Sequence, residues 1–447
     1  MNRHLVLFIA ALVVSAVPAV NAQQPSAAGT ESAIARAKDF VGLLSRGEDL
    51  KCIEFFDSTM KSVMPPENLK GVWDTVQARV GSFEGQLRTR VQKYGAYDIV
   101  FVTCRFARDS LDVRVVLNQK KQVAGLFFSK PLSPPEYKSP AYVRKETFRE
   151  EEVVVGSGTW ALHGTLTRPV GTVPCPAVVL VHGSGPNDRD ETIGPNKPFR
   201  DLAWGLASEG IAVLRYEKRT REHGLELVAL RHTMTVQDEV IDDALAAVRL
   251  LRRTDGIDAR RIFVLGHSLG GMLAPRIGSQ DPGLAGLIIL AGAARHLEDL
   301  ILEQTKYLAL VSGLLPDKQK EQIEGIEKQY DKVKKLTMAD TSSAEVYFAA
   351  PPSYWIDLQE YDPPRVAQSL TMPLLILQGE RDYQVTMTDF GRWKNALNAN
   401  GNVSFKTYPN LNHLFIAGEG RSTPAEYEIE GHVLGEVIHD IADWIRK

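Results

Sequence analysis

Three residues whose types together activate a hydroxyl occur in one order along the chain. Ser268 lies in "IFVLGHSLGG", Asp382 in "LLILQGERD" and His413 in "FKTYPNLNH". A serine hydroxyl is a weak nucleophile until a base takes its proton. Histidine titrates near neutral pH, so it can take that proton and later give it to a leaving group. A carboxylate on the far ring nitrogen fixes the tautomer and stabilises the imidazolium. The chemistry of such a set is acyl transfer through a covalent serine intermediate.

Attack on a carbonyl creates an oxyanion, which needs N–H donors. The G-x-S-x-G pattern from Gly266 to Gly270 predicts a sharp strand-to-helix turn that offers the Leu269 N–H. A second glycine-rich loop, "VLVHGSGP", is expected to supply the Ser184 N–H, with Gly183 as second choice. Each donor lowers the barrier by roughly 3–4 kcal/mol. Other residues compete for these roles. Glu380 is an alternative acid. His432 and His439 follow Asp382 but have helical, polar neighbours, which suits surface residues. His267 reads as a packing residue, and His182 as support for the oxyanion loop. The charged run Arg215, Glu217, Lys218 and Arg219 reads as an ion-pair cluster holding loops. "PNDRDE", with Asp188 and Asp190, reads as loop scaffolding. The chemistry requires no metal and no cofactor.

Each of the three residues follows an apolar strand-like run, which places them at the strand ends where sites form in open α/β sheets. From "EEVVVGSGTWALHGTLTRP" onward, two strands are followed by strand and helix in alternation, which predicts a doubly wound, mostly parallel sheet covered on both faces. Between "GLIILAG" and "PLLILQG" a long helical stretch, about 295–368, breaks the rhythm and reads as a cap. Upstream, a helix over 32–45 precedes three strand-like runs, "YDIVFVTCRF", "LDVRVVLNQ" and "QVAGLFFS". These predict a small α+β domain over 32–130, joined by a Pro-rich linker, 131–143, to a large domain, 144–447. Residues 23–31 read as a polar tail. At the start, "RHLVLFIAALVVSAVPAVNA" reads as a signal peptide cut after Ala22. That stretch predicts an exported protein, periplasmic or secreted, without stable membrane insertion after cleavage.

The 447 residues carry a net charge of −3, with 44% hydrophobic and 24% charged residues. Charges of both signs are interspersed, which speaks against nucleic acid as a partner. There are three cysteines, Cys52, Cys104 and Cys175, too few for a disulfide framework. Cys52 and Cys104 both sit in inward-facing patterns of the small domain. Either they close a disulfide or they remain separate buried thiols.

"VHGSGPNDRDETIGPNKPFRDLAWGLASEGIAVLRYEKR", "GHSLGG", "GERDYQV" and "NHLF" together resemble the α/β-hydrolase superfamily. Within it they are similar to the EstD-like bacterial carboxylesterases, neighbours of the serine aminopeptidase and dienelactone hydrolase groups. The resemblance covers about residues 145–447. It implies Ser268, Asp382 and His413 as the triad and Leu269 and Ser184 as the oxyanion hole. Glu217 and Thr220 depart from it, standing where the pattern often has aspartate and glycine. The small domain looks NTF2-like. The expected activity is a serine carboxylesterase acting on small-molecule, short-chain acyl esters. A peptidase or aminopeptidase with the same triad is the alternative, and a non-catalytic binding protein on a hydrolase fold is a further one. The sequence leaves the oligomeric state open.

Overall fold

The computed structural model describes residues 27–94, 97–129, 137–171, 174–224, 227, 230, 232–311, 316–343 and 345–447. The signal peptide expected over 1–22 lies outside them, as do residues 130–136 of the Pro-rich stretch. The chain divides into two compact units between Tyr137 and Lys138.

The first unit opens with helix α1 (Ala27–Ser45), which begins inside the stretch expected to be a tail. Along it Ala33, Ala37, Phe40, Val41 and Leu44 recur every three or four residues, so they share one face, and all are fully buried. Short helices α2 (Asp49–Glu54) and α3 (Ser58–Val63) and helix α4 (Pro66–Val80) follow. Strands β1 (Phe83–Tyr94), β2 (Tyr97–Phe106), β3 (Ser110–Leu117) and β4 (Val123–Ser129) form an antiparallel sheet in that order. The α1 face packs in one core with Val100, Val102 and Cys104 of β2 and Val113, Val115 and Leu117 of β3. Strand β1 is a fourth strand where the sequence suggested three. It is an edge strand rich in polar side chains such as Arg88, Arg90 and Gln92, so it lacks the apolar signature of its neighbours. Cys52 and Cys104 do not pair. All three cysteines are buried free thiols, and burial pushes Cys52 and Cys104 up to about 12.

In the second unit strands β5 (Phe148–Val155), β6 (Leu162–Pro169), β7 (Cys175–Val181), β8 (Ala212–Tyr216), β9 (Ile257–His267), β10 (Gly286–Leu290), β11 (Leu374–Gly379) and β12 (Val403–Tyr408) build one sheet. Its order is β12-β11-β10-β9-β7-β8-β6-β5. Pairing is parallel from β12 through β8 and antiparallel at β6 and β5. Successive side chains of a strand point to opposite faces. Accordingly Ala177, Val179 and Val181 of β7 enter one core, and Val178 and Leu180 enter another. The first face is covered by α7 (Asp242–Arg252), α8 (Leu269–Gln280) and α13 (Met387–Leu397), the second by α5 (Pro198–Ser208) and α14 (Gly435–Arg446). Burial on both faces is why these strands read as unbroken apolar runs. A single turn, α6 (Arg219–Glu222), follows β8.

Helices α9 (Leu297–Val311), α10 (Pro316–Val333), α11 (Pro352–Gln359) and α12 (Pro363–Gln368) lie between β10 and β11, in the segment expected to be a cap. Tyr142, late in the Pro-rich stretch, belongs to the second unit, where its hydroxyl donates to Val433 O at 2.8 Å. Among the described residues no helix is long and apolar enough to cross a membrane.

Candidate active site

Strand β9 ends and helix α8 begins at Ser268, which takes φ +53° and ψ −115°. A non-glycine residue there is strained, and only a well-packed surrounding holds it. The packing requires glycine on both sides. A Cβ on Gly266 would meet Gly270 O at 2.1 Å, and one on Gly270 would meet Val181 O at 2.2 Å. The Ser268 N–H donates to Leu290 O at 2.9 Å, tying the turn to β10. Leu269 is the first residue of α8, where N–H groups have no carbonyl partner within the helix.

The loops after β11 and β12 bring Asp382 and His413 together. His413 Nδ1 lies 2.6 Å from Asp382 Oδ2, and both side chains are buried. Asp382 is itself held: Oδ1 accepts from the N–H of Gln384 at 2.7 Å and of Val385 at 3.1 Å, and Oδ2 accepts from Gln378 Nε2 at 3.1 Å. A carboxylate with this many donors keeps one orientation, so Nδ1 carries the proton and Nε2 is left basic. Ser268 and His413 line the same cavity, about 80 Å³, together with Ser184 and Leu269. That is small against the ~300–1,000 Å³ of sites for drug-sized ligands. Its remaining wall is largely apolar: Met272, Ala293 and Val385 from the sheet side, and Leu297, Leu300 and Ile301 from α9.

Helix α9 grips the acid loop. Gln304 Nε2 donates to Gln384 O at 2.9 Å, and the Tyr307 and Tyr383 rings stack with centroids 5.1 Å apart. Leu297, Leu300, Ile301 and Gln304 are spaced by three and four, so the cavity wall is one helix face.

Several residues fall elsewhere. Gly183, the second choice for the oxyanion hole, has its N–H on Glu191 Oε1 at 2.7 Å, so that donor is turned away from a substrate oxygen. Glu380 accepts from Thr407 Oγ1 at 2.7 Å and is not the partner of His413. His432 faces Asp201 at 3.1 Å and His439 faces Glu209 at 3.7 Å. His182 donates to Asp188 O at 3.1 Å, and burial pushes its imidazole down to about 4. The charged run forms ion pairs, buried for Arg215 with Asp190, Lys218 with Glu239 and Arg219 with Asp243, and nearer the surface for Arg215 with Glu150 and Glu217 with Arg189. Asp188 Oδ1 accepts from the N–H of Asp190 and Thr192, which is scaffolding of its own loop. Among the described residues no group of three or more His, Cys, Asp and Glu is arranged to hold a metal ion.

Two features escaped the sequence. His267 is 4% exposed, with Nε2 donating to His413 O at 2.9 Å and Nδ1 2.9 Å from Glu191 Oε2. Glu191 is 2% exposed and is held at φ +51°. Burial, the largest single influence, opposes charge on both, yet the neighbours together outweigh it: His267, His182 and the Gly183 N–H hold Glu191 below its ordinary value, and Glu191, the His413 carbonyl and Asp382 hold His267 above. One buried ion pair thus braces the loops of Gly183 and His413. No local pattern announces it, because the partners come from separate parts of the chain.

Residues 173–419 match the family described as "Serine aminopeptidase, S33", and residues 37–126 match "Protein of unknown function (DUF3887)". The esterase EstD of Thermotoga maritima is 39% identical over 408 residues, 91% of this chain and 94% of its own. The chain belongs to this family of α/β-hydrolases. Solved structures similar to this hydrolase include Est1E from Butyrivibrio proteoclasticus and the acylaminoacyl peptidase of Pyrococcus horikoshii. The first is 17% identical with TM-score 0.43, covering 66% of this chain and 99% of that one. The second is 15% identical with TM-score 0.46, covering 74% and 52%.

Proposed function

We propose that this hydrolase is a carboxylesterase that cleaves short-chain acyl esters with Ser268 as nucleophile, His413 as base and Asp382 as its orienting acid. The observation that carries the reading is the 2.6 Å contact of Asp382 with His413 Nδ1, beside a small apolar cavity that Ser268 also lines. His413 Nε2 takes the Ser268 proton as Oγ attacks the ester carbonyl carbon. The N–H groups of Leu269 and Ser184 receive the oxyanion. Collapse expels the alkoxide, which takes the proton from His413 and leaves as the alcohol. Water, deprotonated by His413, then attacks the acyl-enzyme, and on collapse Ser268 Oγ takes that proton back from His413 as the carboxylic acid departs. The cavity volume suits a short acyl chain.

Ester is favoured over an amino-terminal peptide by the cavity wall. A substrate ammonium needs a free carboxylate, and the one carboxylate lining the described cavity, Glu191, is committed to Gly183 and His267. The test is Ser268→Ala. We expect kcat on p-nitrophenyl acetate to fall about 10⁴-fold or more, since the three residues act as a unit. A fluorophosphonate probe is expected to label the wild type and miss the variant. Labelling that survives in Ser268→Ala overturns the assignment, and faster turnover of aminoacyl-nitroanilides than of esters overturns the substrate class.

We also propose that the enzyme is exported. The support is the apolar run Leu5–Val14 followed by small residues at Val20 and Ala22. Intact mass of the protein from the extracytoplasmic fraction is expected to give Gln23 as first residue, and a start at Met1 refutes it.

A further inference from the structure

Gly183 is flanked by two peptide groups, and a buried ion holds each. On one side its N–H donates to Glu191 Oε1 at 2.7 Å. On the other its C=O accepts from Lys218 Nζ at 2.8 Å. Lys218 is 2% exposed. Its charge is matched by Glu239 Oε1 at 2.8 Å, and Glu239 Oε2 accepts from the Tyr354 hydroxyl of cap helix α11 at 2.6 Å. Glu239 sits in a π-helical turn, Gln237–Ile241, an irregularity that recurs at functional sites. The Lys218 N–H donates to Asn187 O at 3.1 Å, so backbone and side chain grip the same loop.

The Gly183 C=O and the Ser184 N–H are the two ends of one planar trans peptide and point in opposite directions. Whatever holds the carbonyl therefore aims the N–H. A cation on the carbonyl oxygen also polarises the peptide and strengthens its N–H as a donor. Ser184 lines the cavity beside Ser268, and a Cβ on Gly183 would stand 3.1 Å from Ser268 Cβ. Asn187 Nδ2 is a second, neutral donor to Gly183 O at 3.2 Å, so the ammonium is the stronger partner.

We propose that Lys218 is a positioning residue for the hydrolysis: its buried ammonium orients and polarises the Gly183–Ser184 peptide so that the Ser184 N–H meets the oxyanion. The proposal rests on the assignment of Ser268 as nucleophile. Lys218 is absent from the cavity wall, so it acts through the peptide it holds. Its action is confined to the transition state, where the carbonyl oxygen gains charge, so its loss should appear in kcat rather than KM.

Lys218→Met keeps the length of the chain and removes the charge. With p-nitrophenyl acetate, kcat is expected to fall about 10- to 100-fold, part of the loss for deleting a whole oxyanion donor, with KM little changed. Affinity for a trifluoromethyl ketone, whose Ser268 adduct carries an oxyanion at the same place, is expected to fall by the same factor as kcat/KM. Lys218→Arg should recover much of both. An unchanged kcat overturns the proposal, as does a KM rise at constant kcat or a ketone affinity that does not follow kcat/KM. Should the Met variant lose its circular dichroism signature, Lys218→Arg and Glu239→Gln carry the test: Glu239→Gln, which frees the ammonium from its anchor, is then expected to lower kcat at constant KM. Failure of the nucleophile assignment is seen separately, as labelling of Ser268→Ala.

Discussion

The ion pair of Glu191 and His267 makes the site sensitive to pH through the fold as well as through the chemistry. Glu191 titrates below its ordinary 4.5, so its contribution to stability is complete above about pH 4.5 and is lost as pH falls through the lowered value. His267 titrates above its ordinary 6.5, so its contribution is complete below that pH and is lost as pH rises through the raised value. The pair therefore stabilises the fold most between about pH 4.5 and 6.5. Glu191→Gln is expected to flatten both limbs of a plot of urea midpoint against pH. It should also destabilise the protein by about 1–3 kcal/mol at pH 6, because buried His267 loses its charged partner and burial drives the imidazole neutral. Identical pH profiles for variant and wild type would show that the pair carries no linked proton. The contact of Asp382 with His413 was legible from residue types and chain order, since few other pairs suit a proposed serine nucleophile. The pairing of His267 was not, because a histidine between glycine and serine suits packing equally well.

At the scale of elements, α9 is both a wall of the cavity and a clamp on the acid loop. Leu300 and Ile301 line the cavity. Shortening Ile301 to Ala should open room for further methylenes, each worth about 0.8 kcal/mol when buried, roughly fourfold in kcat/KM. We expect the ratio of kcat/KM for p-nitrophenyl hexanoate over acetate to rise by roughly tenfold in Ile301→Ala. An unchanged chain-length profile would mean that acyl chains leave by another route. The parallel strands were legible because burial on both faces leaves an unbroken apolar run, as in Ala177–Val181. Strand β1 was not, because an edge strand with a polar face lacks that signal. The helical insertion between β10 and β11 was legible as an interruption of rhythm. Which of its faces meets the cavity was not, because α9 has apolar residues on several sides and only tertiary contact selects among them.

At the scale of the molecule, the second unit has cores on both sides of its own sheet, and the residues proposed as triad and oxyanion donors, with the cavity they line, all come from it. A chain starting at Lys138 retains Tyr142 and its bond to Val433. Such a chain is expected to fold and to hydrolyse a small soluble ester, as measured by circular dichroism and p-nitrophenol release. If it is folded and inactive, the first unit contributes to catalysis. The buried charges around the site also bear on how this sequence can change with descent. Replacing one member of the Glu191–His267 or Lys218–Glu239 pair strands the other charge in a dry interior, whereas replacing both at once by apolar residues of similar shape need not. Single-step drift at these four positions is therefore blocked, and among related chains they should vary as couples. Leu300 and Ile301, which line the cavity from within an apolar core and carry no charge, can vary one at a time among apolar side chains of similar volume, so acyl preference can diverge on a scaffold that stands still.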